Sequence, residues 1–291
     1  MRKLLPIIVS ALLLLSGCAG RRNSSKVEAK ADSLVFSLPA VPSIITEPQA
    51  RKDYLVEHIW DKLDTLCYSA QVEEQFANWL WMSEQVSPAK AEKALLRAYG
   101  KDPKRIMGLA EKYLYDPQSP YRNEDLFGKL AAHVGGEKYE GIARRCALNA
   151  VGSPATDFPM VDGRGKDLTL YSVQAEYLLL FFSNPGCSSC KQIIELLSGD
   201  ELVSKAVRDK RLRVLSVYID EDMDLWQEHI GDYPKEWIIA YDPSLTLRNM
   251  DIYNIRAIPS LYLLDKDKKV LLKDAPEERL LNRLHRELSV E

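Results

Sequence analysis

The chain is short of the residues that build metal centres. It has four histidines and no His-x-x-x-His among them, and its five cysteines include one Cys-x-x-Cys and no second. A structural zinc site usually draws on two such pairs. His58 and His133, each alone in a helical stretch, read as packing or surface residues. No long basic run occurs and the formal net charge is −3, so nucleic-acid binding has no support. Lys266-Asp267-Lys268-Lys269 is most simply a solvated hairpin turn. The apolar stretch Leu4 to Leu15 is too short to span a bilayer.

What the sequence does contain is an unbroken apolar run from Tyr177 to Phe182, which reads as a strand buried on both faces. Asn184-Pro185-Gly186 breaks it. Cys187 and Cys190 follow, with two serines between them, and Ile193, Ile194 and Leu197 then recur at helical spacing. The Cys-x-x-Cys thus falls at a strand-to-helix junction, with Cys187 near the helix N-terminus. Unpaired N–H groups and the positive end of the helix dipole favour a thiolate over a thiol there, and the thiolate is the species that attacks a disulfide. Cys190, about one helical turn on, is near enough to resolve a mixed disulfide. A redox pair is preferred in this setting to half a zinc site or two inert thiols.

A second element, Asn254-Ile-Arg-Ala-Ile258-Pro259-Ser-Leu-Tyr-Leu-Leu-Asp265, carries a proline just ahead of a strand. Alone, this fits an ordinary trans proline entering an edge strand. Together with the Cys-x-x-Cys and the strand–helix alternation between them, residues 151–291 resemble the thioredoxin superfamily, specifically the TlpA/ResA-like thiol–disulfide oxidoreductases of the bacterial envelope. The resemblance implies an α/β thioredoxin-like fold, a mixed central sheet flanked by helices. It implies a cis bond at Ile258–Pro259 packed against the Cys-x-x-Cys, leaving the Ile258 backbone free to pair with an extended substrate. It also implies Cys187 as attacker, Cys190 as resolver, protein disulfides as substrates, an upstream envelope electron donor, and no metal or organic cofactor.

Some family features are absent. Gly186 precedes the first cysteine where relatives carry Trp at or near that place. Phe181 stands where thioredoxin has a buried Asp, and Ile193 where ResA-like proteins have Glu. No carboxylate at a family position is left to move the proton of Cys190, and Glu195 is wrongly placed on the helix. These departures bear on rate and direction, with reduction or isomerisation of disulfides the leading expectation. Two other functions compete. A peroxiredoxin-like peroxidase needs a Pro-x-x-x-Thr/Ser-x-x-Cys loop, which Pro185-Gly186-Cys187 is too short to supply. A non-catalytic binding lipoprotein, with the fold as scaffold, gains from the missing Trp and carboxylates and loses from the intact Cys-x-x-Cys.

Ahead of this, Met1-Arg2-Lys3 and the apolar stretch form a signal peptide over residues 1–17. Leu15-Ser16-Gly17-Cys18 resembles a bacterial lipobox, which implies lipidation of Cys18 and stable anchoring by several acyl chains; the alternative is a plain secretory signal. Ala19, with no Asp after Cys18, favours the outer membrane. The expected location is the cell envelope, where disulfides persist. Residues 18–49, punctuated by Pro39, Pro42 and Pro48, read as a tether.

Residues 50–150 read as an all-α domain of roughly five or six helices. Its stripes are Leu55, Ile59, Leu63 and Leu66, then Val72, Phe76, Trp79 and Leu80. Ser87-Pro88 starts a helix that stops at Gly100, Asp102-Pro103 starts another, and Leu126, Leu130 and Val134 precede Gly135-Gly136. This half resembles a helical domain of unknown function found ahead of thioredoxin-like domains in envelope lipoproteins. Trp60, Trp79 and Trp81 are core or a binding surface. Cys67 and Cys146 are a disulfide or two buried thiols. Val151-Gly152-Ser153-Pro154 reads as the linker. After it come a hairpin at 158–170, strands at 212–220 and 237–241, helices at 224–230 and 245–253, a hairpin of 261–264 with 270–272, and a closing helix over 277–288.

Overall fold

The computed structural model describes residues 38–63 and 69–289. The expected signal peptide, Cys18 and the tether up to residue 37 lie outside them, as do Leu66 and Cys67.

The proximal half is helical: α1 (Pro48–His58), α2 (Ser69–Ser83), α3 (Pro88–Lys101), α4 (Pro103–Ala110) running straight into a π-helical turn (Glu111–Tyr115), α5 (Glu124–Val134) and α6 (Gly136–Cys146). Pro48, Pro88 and Pro103 each stand in the first turn, where the missing N–H costs nothing. Asp102 caps α4 by accepting the Arg105 N–H at 3.2 Å, and Asn123 caps α5 by accepting that of Leu126 at 3.1 Å. The Ser87 side chain makes no such bond, so proline alone marks the start of α3. That helix passes through Gly100 and ends at Lys101, because Asp102 is taken by the next cap.

These helices bury their stripes against one another. Trp60, Phe76, Trp79, Leu95, Ile106 and Phe127 are fully buried, with the first three rings 5.2 to 6.1 Å apart. Of the three tryptophans, two are core and Trp81 faces out at 65% exposure. Gly128 of α5 is where α6 comes closest: a Cβ there would meet Cys146 Cβ at 2.6 Å.

The distal half is one seven-stranded sheet: β1 (Pro159–Asp162), β2 (Asp167–Thr169), β3 (Tyr177–Ser183), β4 (Leu212–Tyr218), β5 (Ile238–Tyr241), β6 (Ser260–Asp265) and β7 (Val270–Lys273). Their order is β2-β1-β5-β4-β3-β6-β7. β3, β4 and β5 run parallel, while β6 lies antiparallel to β3, and β7 to β6. Alternate residues of β3 feed two cores. Leu179 and Phe181 face α7 (Ser188–Gly199), α8 (Glu201–Arg208) and α11 (Glu277–Leu288). Leu178, Leu180 and Phe182 face Leu215, Val217, Tyr253 and Tyr262 on the other side.

Three details depart from the pattern of the sequence. Helix α8 was not foreseen; Asp200 caps it by accepting the Val203 N–H at 3.0 Å, directly after α7 ends. The helix expected over 245–253 shrinks to α10 (Thr246–Asn249), after the two-turn α9 (Met223–His229). Leu245 and Asp251 on either side of α10 take left-handed backbone angles of 51° and 49°, which a continuous helix forbids. The linker is not loose. Gly152 N–H donates to the Val270 carbonyl at 2.8 Å, Val270 N–H to that of Ser153 at 2.9 Å, and Ala155 N–H to that of Lys268 at 2.8 Å. It lies along the outer edge of β7.

Gly128→Ala should destabilise the protein by about 1–3 kcal/mol through overpacking. Gly108→Ala, in α4 with nothing within 4 Å of the added carbon, should instead gain up to about 1 kcal/mol. Urea unfolding of the two variants checks the contrast.

Candidate active site

Strand β3 ends at Ser183, and the chain turns through Asn184, Pro185 and Gly186 into α7. Gly186 takes φ +71°, a region where a side chain is strained. This accounts for the absence of a bulky residue directly before Cys187. Cys187 is the N-cap residue of α7, and its Sγ accepts the Cys190 N–H at 3.1 Å. One of the unpaired donors of the helix start is thereby aimed at this sulfur. Cys187 is half-buried, while Cys190, one turn in, is 2% exposed. Burial pushes the Cys190 thiol up to about 12; the hydrogen bond with Cys187 adds to this and backbone hydrogen bonding from Asn184 works against it.

The ladder sets the second part of the site beside the first. Phe182 pairs with Ser260, so Ile258 and Pro259, just before β6, stand next to the end of β3. Their peptide bond is cis. Ile258 and Cys187 both pack against the apolar cluster that holds Cys190 and Ile193. Among the described residues the Ile258 backbone makes no hydrogen bond.

The two positions where relatives carry a carboxylate are apolar here. Phe181 is fully buried, with Trp237 edge-on at 6.2 Å, and Ile193 is fully buried beside it. Glu195 sits on the outer surface of α7 near Lys191, 3.9 Å away. What the sequence did not reveal is a cluster of hydroxyls. Ser183 Oγ lies 2.7 Å from Ser216 Oγ and 3.0 Å from the Tyr233 hydroxyl. Burial pushes the Tyr233 phenol up, its hydrogen bonding with Ser183 and Ser216 works against this, and charge at Cys190 and Cys187 adds to it. One signal was present: Ser216 stands between Val214-Leu215 and Val217 in β4, and an inward polar residue needs a partner. Tyr233 sits in a loop whose packing no periodicity encodes.

The loop before Ile258 is held from the helical half. Glu124 Oε1 accepts from Asn254 Nδ2 at 2.8 Å and from Arg256 Nε at 2.5 Å, while Glu124 Oε2 lies 3.1 Å from Lys273 Nζ. These long-range partners were also missed. Cys146 is a buried free thiol, pushed up to about 12 mainly by burial. Among the described residues, no group of three or more His, Cys, Asp or Glu is placed to hold a metal ion.

Comparison with known proteins gives two family matches: residues 17–140 match a domain of unknown function, DUF5106, and residues 175–270 match the thioredoxin-like family. A crystal structure of a thioredoxin-like protein from Bacteroides caccae is 34% identical, with a TM-score of 0.76, and the match covers 86% of this chain and 98% of that one. The thiol-disulfide oxidoreductase ResA of Bacillus cereus is 24% identical over 149 residues, 51% of this chain and 83% of that protein. ResA of Bacillus anthracis is 24% identical over 142 residues, 49% and 79%.

In the reduced protein Cys187 should alkylate well before Cys190 at neutral pH, read by mass spectrometry of the labelled peptides; prior labelling of Cys190 would contradict the burial difference. Because folding raises the Cys190 pKa above its ordinary value of 9.0, the associated stability is complete below pH 9 and is lost as pH rises towards 12. Oxidation removes the titrating thiol. The disulfide form should therefore lose less stability than the reduced form above pH 9, measured by denaturant unfolding of each.

Proposed function

The chain belongs to the thioredoxin-like proteins, and from that premise we propose that it is a thiol–disulfide oxidoreductase acting on protein disulfides through Cys187 and Cys190. The observation that carries this reading is the half-exposed Cys187 sulfur at the start of α7, capped by the N–H of the buried Cys190 and flanked by the open backbone of Ile258.

The reaction follows from these positions. An extended segment of substrate lies along Ile258 and Pro259, with its disulfide at Cys187. The Cys187 thiolate attacks one sulfur; a Cys187–substrate disulfide forms, the substrate S–S bond breaks, and the first substrate thiolate leaves and takes a proton. Cys190 gives up its proton and attacks Cys187 Sγ. The intramolecular disulfide forms and the second substrate thiolate leaves. Two electrons have passed from the pair to the substrate, so a dithiol donor upstream must restore it. With Cys190 pushed up to about 12, resolution is the step that burial slows.

Direction follows from the groups that meet Cys187. Its capping donor is a neutral N–H, and neutral donors stabilise a thiolate less than charged ones. The couple is therefore expected at roughly −200 to −270 mV, on the scale where DsbA lies near −120 mV, which suits reduction or isomerisation. Lipidation of Cys18 would hold the protein in the cell envelope, at the outer membrane, with residues 19–47 as tether ahead of α1. A peroxidase has no support, since Pro185 is two residues before Cys187 and the loop it needs is missing. The scaffold alternative rests on the apolar surroundings of Cys190, where no carboxylate relays its proton.

Three outcomes are expected. Cys190→Ala should trap mixed disulfides with envelope proteins through Cys187, seen on non-reducing gels; a potential near that of DsbA together with no trapped partner would sink the reductase reading. Equilibration with glutathione gives the potential. Cys18→Ser should abolish incorporation of labelled lipid, and unchanged labelling would remove Cys18 as the anchor.

A further inference from the structure

The segment between α10 and β6 is irregular from Met250 to Pro259, yet it must hold Ile258 in place beside Cys187. Nearly all of its fastening comes from elsewhere in the chain. At its start, Asn149 Nδ2 donates to the Ile252 carbonyl at 2.8 Å, and the buried Tyr253 donates its hydroxyl to the Thr156 carbonyl at 2.8 Å. Nearer the site, the side-chain hydrogen bonds of Asn254 and Arg256 run to the helical half. Asn254 and Arg256 share Glu124 Oε1. Arg256 also donates to the Tyr115 carbonyl, and its Cζ lies over the Tyr115 ring, 4.2 Å from its centre.

Glu124 is 2% exposed and is the hub of this arrangement. Its second oxygen faces Lys273 Nζ at 3.1 Å, and that buried ammonium donates to the carbonyls of Cys146 and Leu148 at 2.7 Å each. Asp274 Oδ2 stands 3.9 Å from Arg256 and 3.6 Å from Arg122, and Arg122 donates in turn to the carbonyls of Asp274 and Ala275. Apolar packing would join two halves at lower desolvation cost than buried charges do. What charges and fork-shaped donors add is a fixed geometry, since each wrong arrangement leaves a buried group unpaired. That geometry is imposed two residues before Ile258.

We propose that the helical half is a positioning element for the substrate-binding loop, acting through Glu124 and Arg256: the Glu124–Arg256–Tyr115 contact sets where the Ile258 backbone meets an extended protein substrate. The inference rests on the oxidoreductase reading for its substrate, and on geometry alone for its loop. Neither residue touches the cysteines; both are positioning residues, which separates them from groups that take part in disulfide exchange.

The test uses the full chain with Arg256→Lys, which keeps the charge and loses the planar fork and the stacking, and Glu124→Gln, which keeps the shape and loses the charge. Each is assayed with a disulfide-bearing protein, reduced insulin serving as product standard, and with a small aromatic disulfide that has no chain to lay along Ile258. Arg256→Lys should raise KM for the protein substrate about tenfold while kcat holds, leaving the small-disulfide rate and the potential of the pair unchanged. Equal loss on both substrates, or no loss on either in a folded variant, overturns the proposal. Amide exchange supplies a readout independent of activity. The Ile255 amide, which donates to the Tyr253 carbonyl at 3.0 Å, should exchange about tenfold faster in the variant, with β3 and α7 unaffected, and unchanged exchange there overturns the proposal. If the wild-type chain reduces neither substrate, the oxidoreductase reading fails by itself and exchange still decides the positioning role. If Glu124→Gln does not fold, Arg256→Lys decides.

Discussion

The register of β3 against its neighbours determines where Cys187 stands. Every residue from Leu178 to Ser183 is buried, and each large apolar side chain so placed contributes about 1.5–3 kcal/mol. That burial makes the strand form but does not choose its register, because apolar residues face both layers and a one-residue slip would exchange one apolar set for another. The hydroxyls make the choice. Ser183 and Ser216 sit diagonally across β3 and β4 on the same face, since Phe181 pairs with Ser216 and Ser183 with Tyr218. Only in this register do they bond to each other and to Tyr233. A slip would strand buried hydroxyls at about 1–3 kcal/mol each. The same three side chains therefore fix the strand and line the surroundings of the pair it delivers.

Legibility in the sequence follows the range of the interaction. Helix starts at Pro88 and Pro103 and the closing helix Glu277–Leu288 were readable because proline position and apolar period act within a few residues. The same holds for the strand–turn–helix around Cys187 and for the hairpin of β6 and β7. The contacts that hold the Ile258 loop were not readable. Arg256 meets Glu124 across 132 residues of chain and Asn254 meets it across 130, and nothing in a local pattern pairs one buried carboxylate with either. Tyr233 belongs with them: its loop has no period, and its partners lie on two strands. The site thus divides into residues set by local order, Cys187 and Cys190, and residues set by tertiary packing, which adjust what surrounds them.

The apolar replacements at Phe181 and Ile193 are coherent with one another. A lone carboxylate at either place would sit among Trp237, Leu197 and Leu261 without an evident cation, at a desolvation cost of several kcal/mol. The cluster is instead closed by rings and branched side chains. Burial then governs the buried thiol, and the hydroxyls of Ser183, Ser216 and Tyr233 bond to one another beside this layer.

The strip of chain at Gly152–Ala155 has a consequence for the sheet as a whole. β7 is an outer strand, and an outer strand with free N–H and C=O groups invites any extended chain to add to it. Bonds from Gly152, Ser153 and Ala155 occupy that side of Val270 and Lys268 with the protein's own backbone, and Pro154 between them offers no donor. If an extended substrate pairs at Ile258, as proposed above, an open β7 edge would compete with that place for it. Self-pairing along β7 closes that edge with the protein's own backbone.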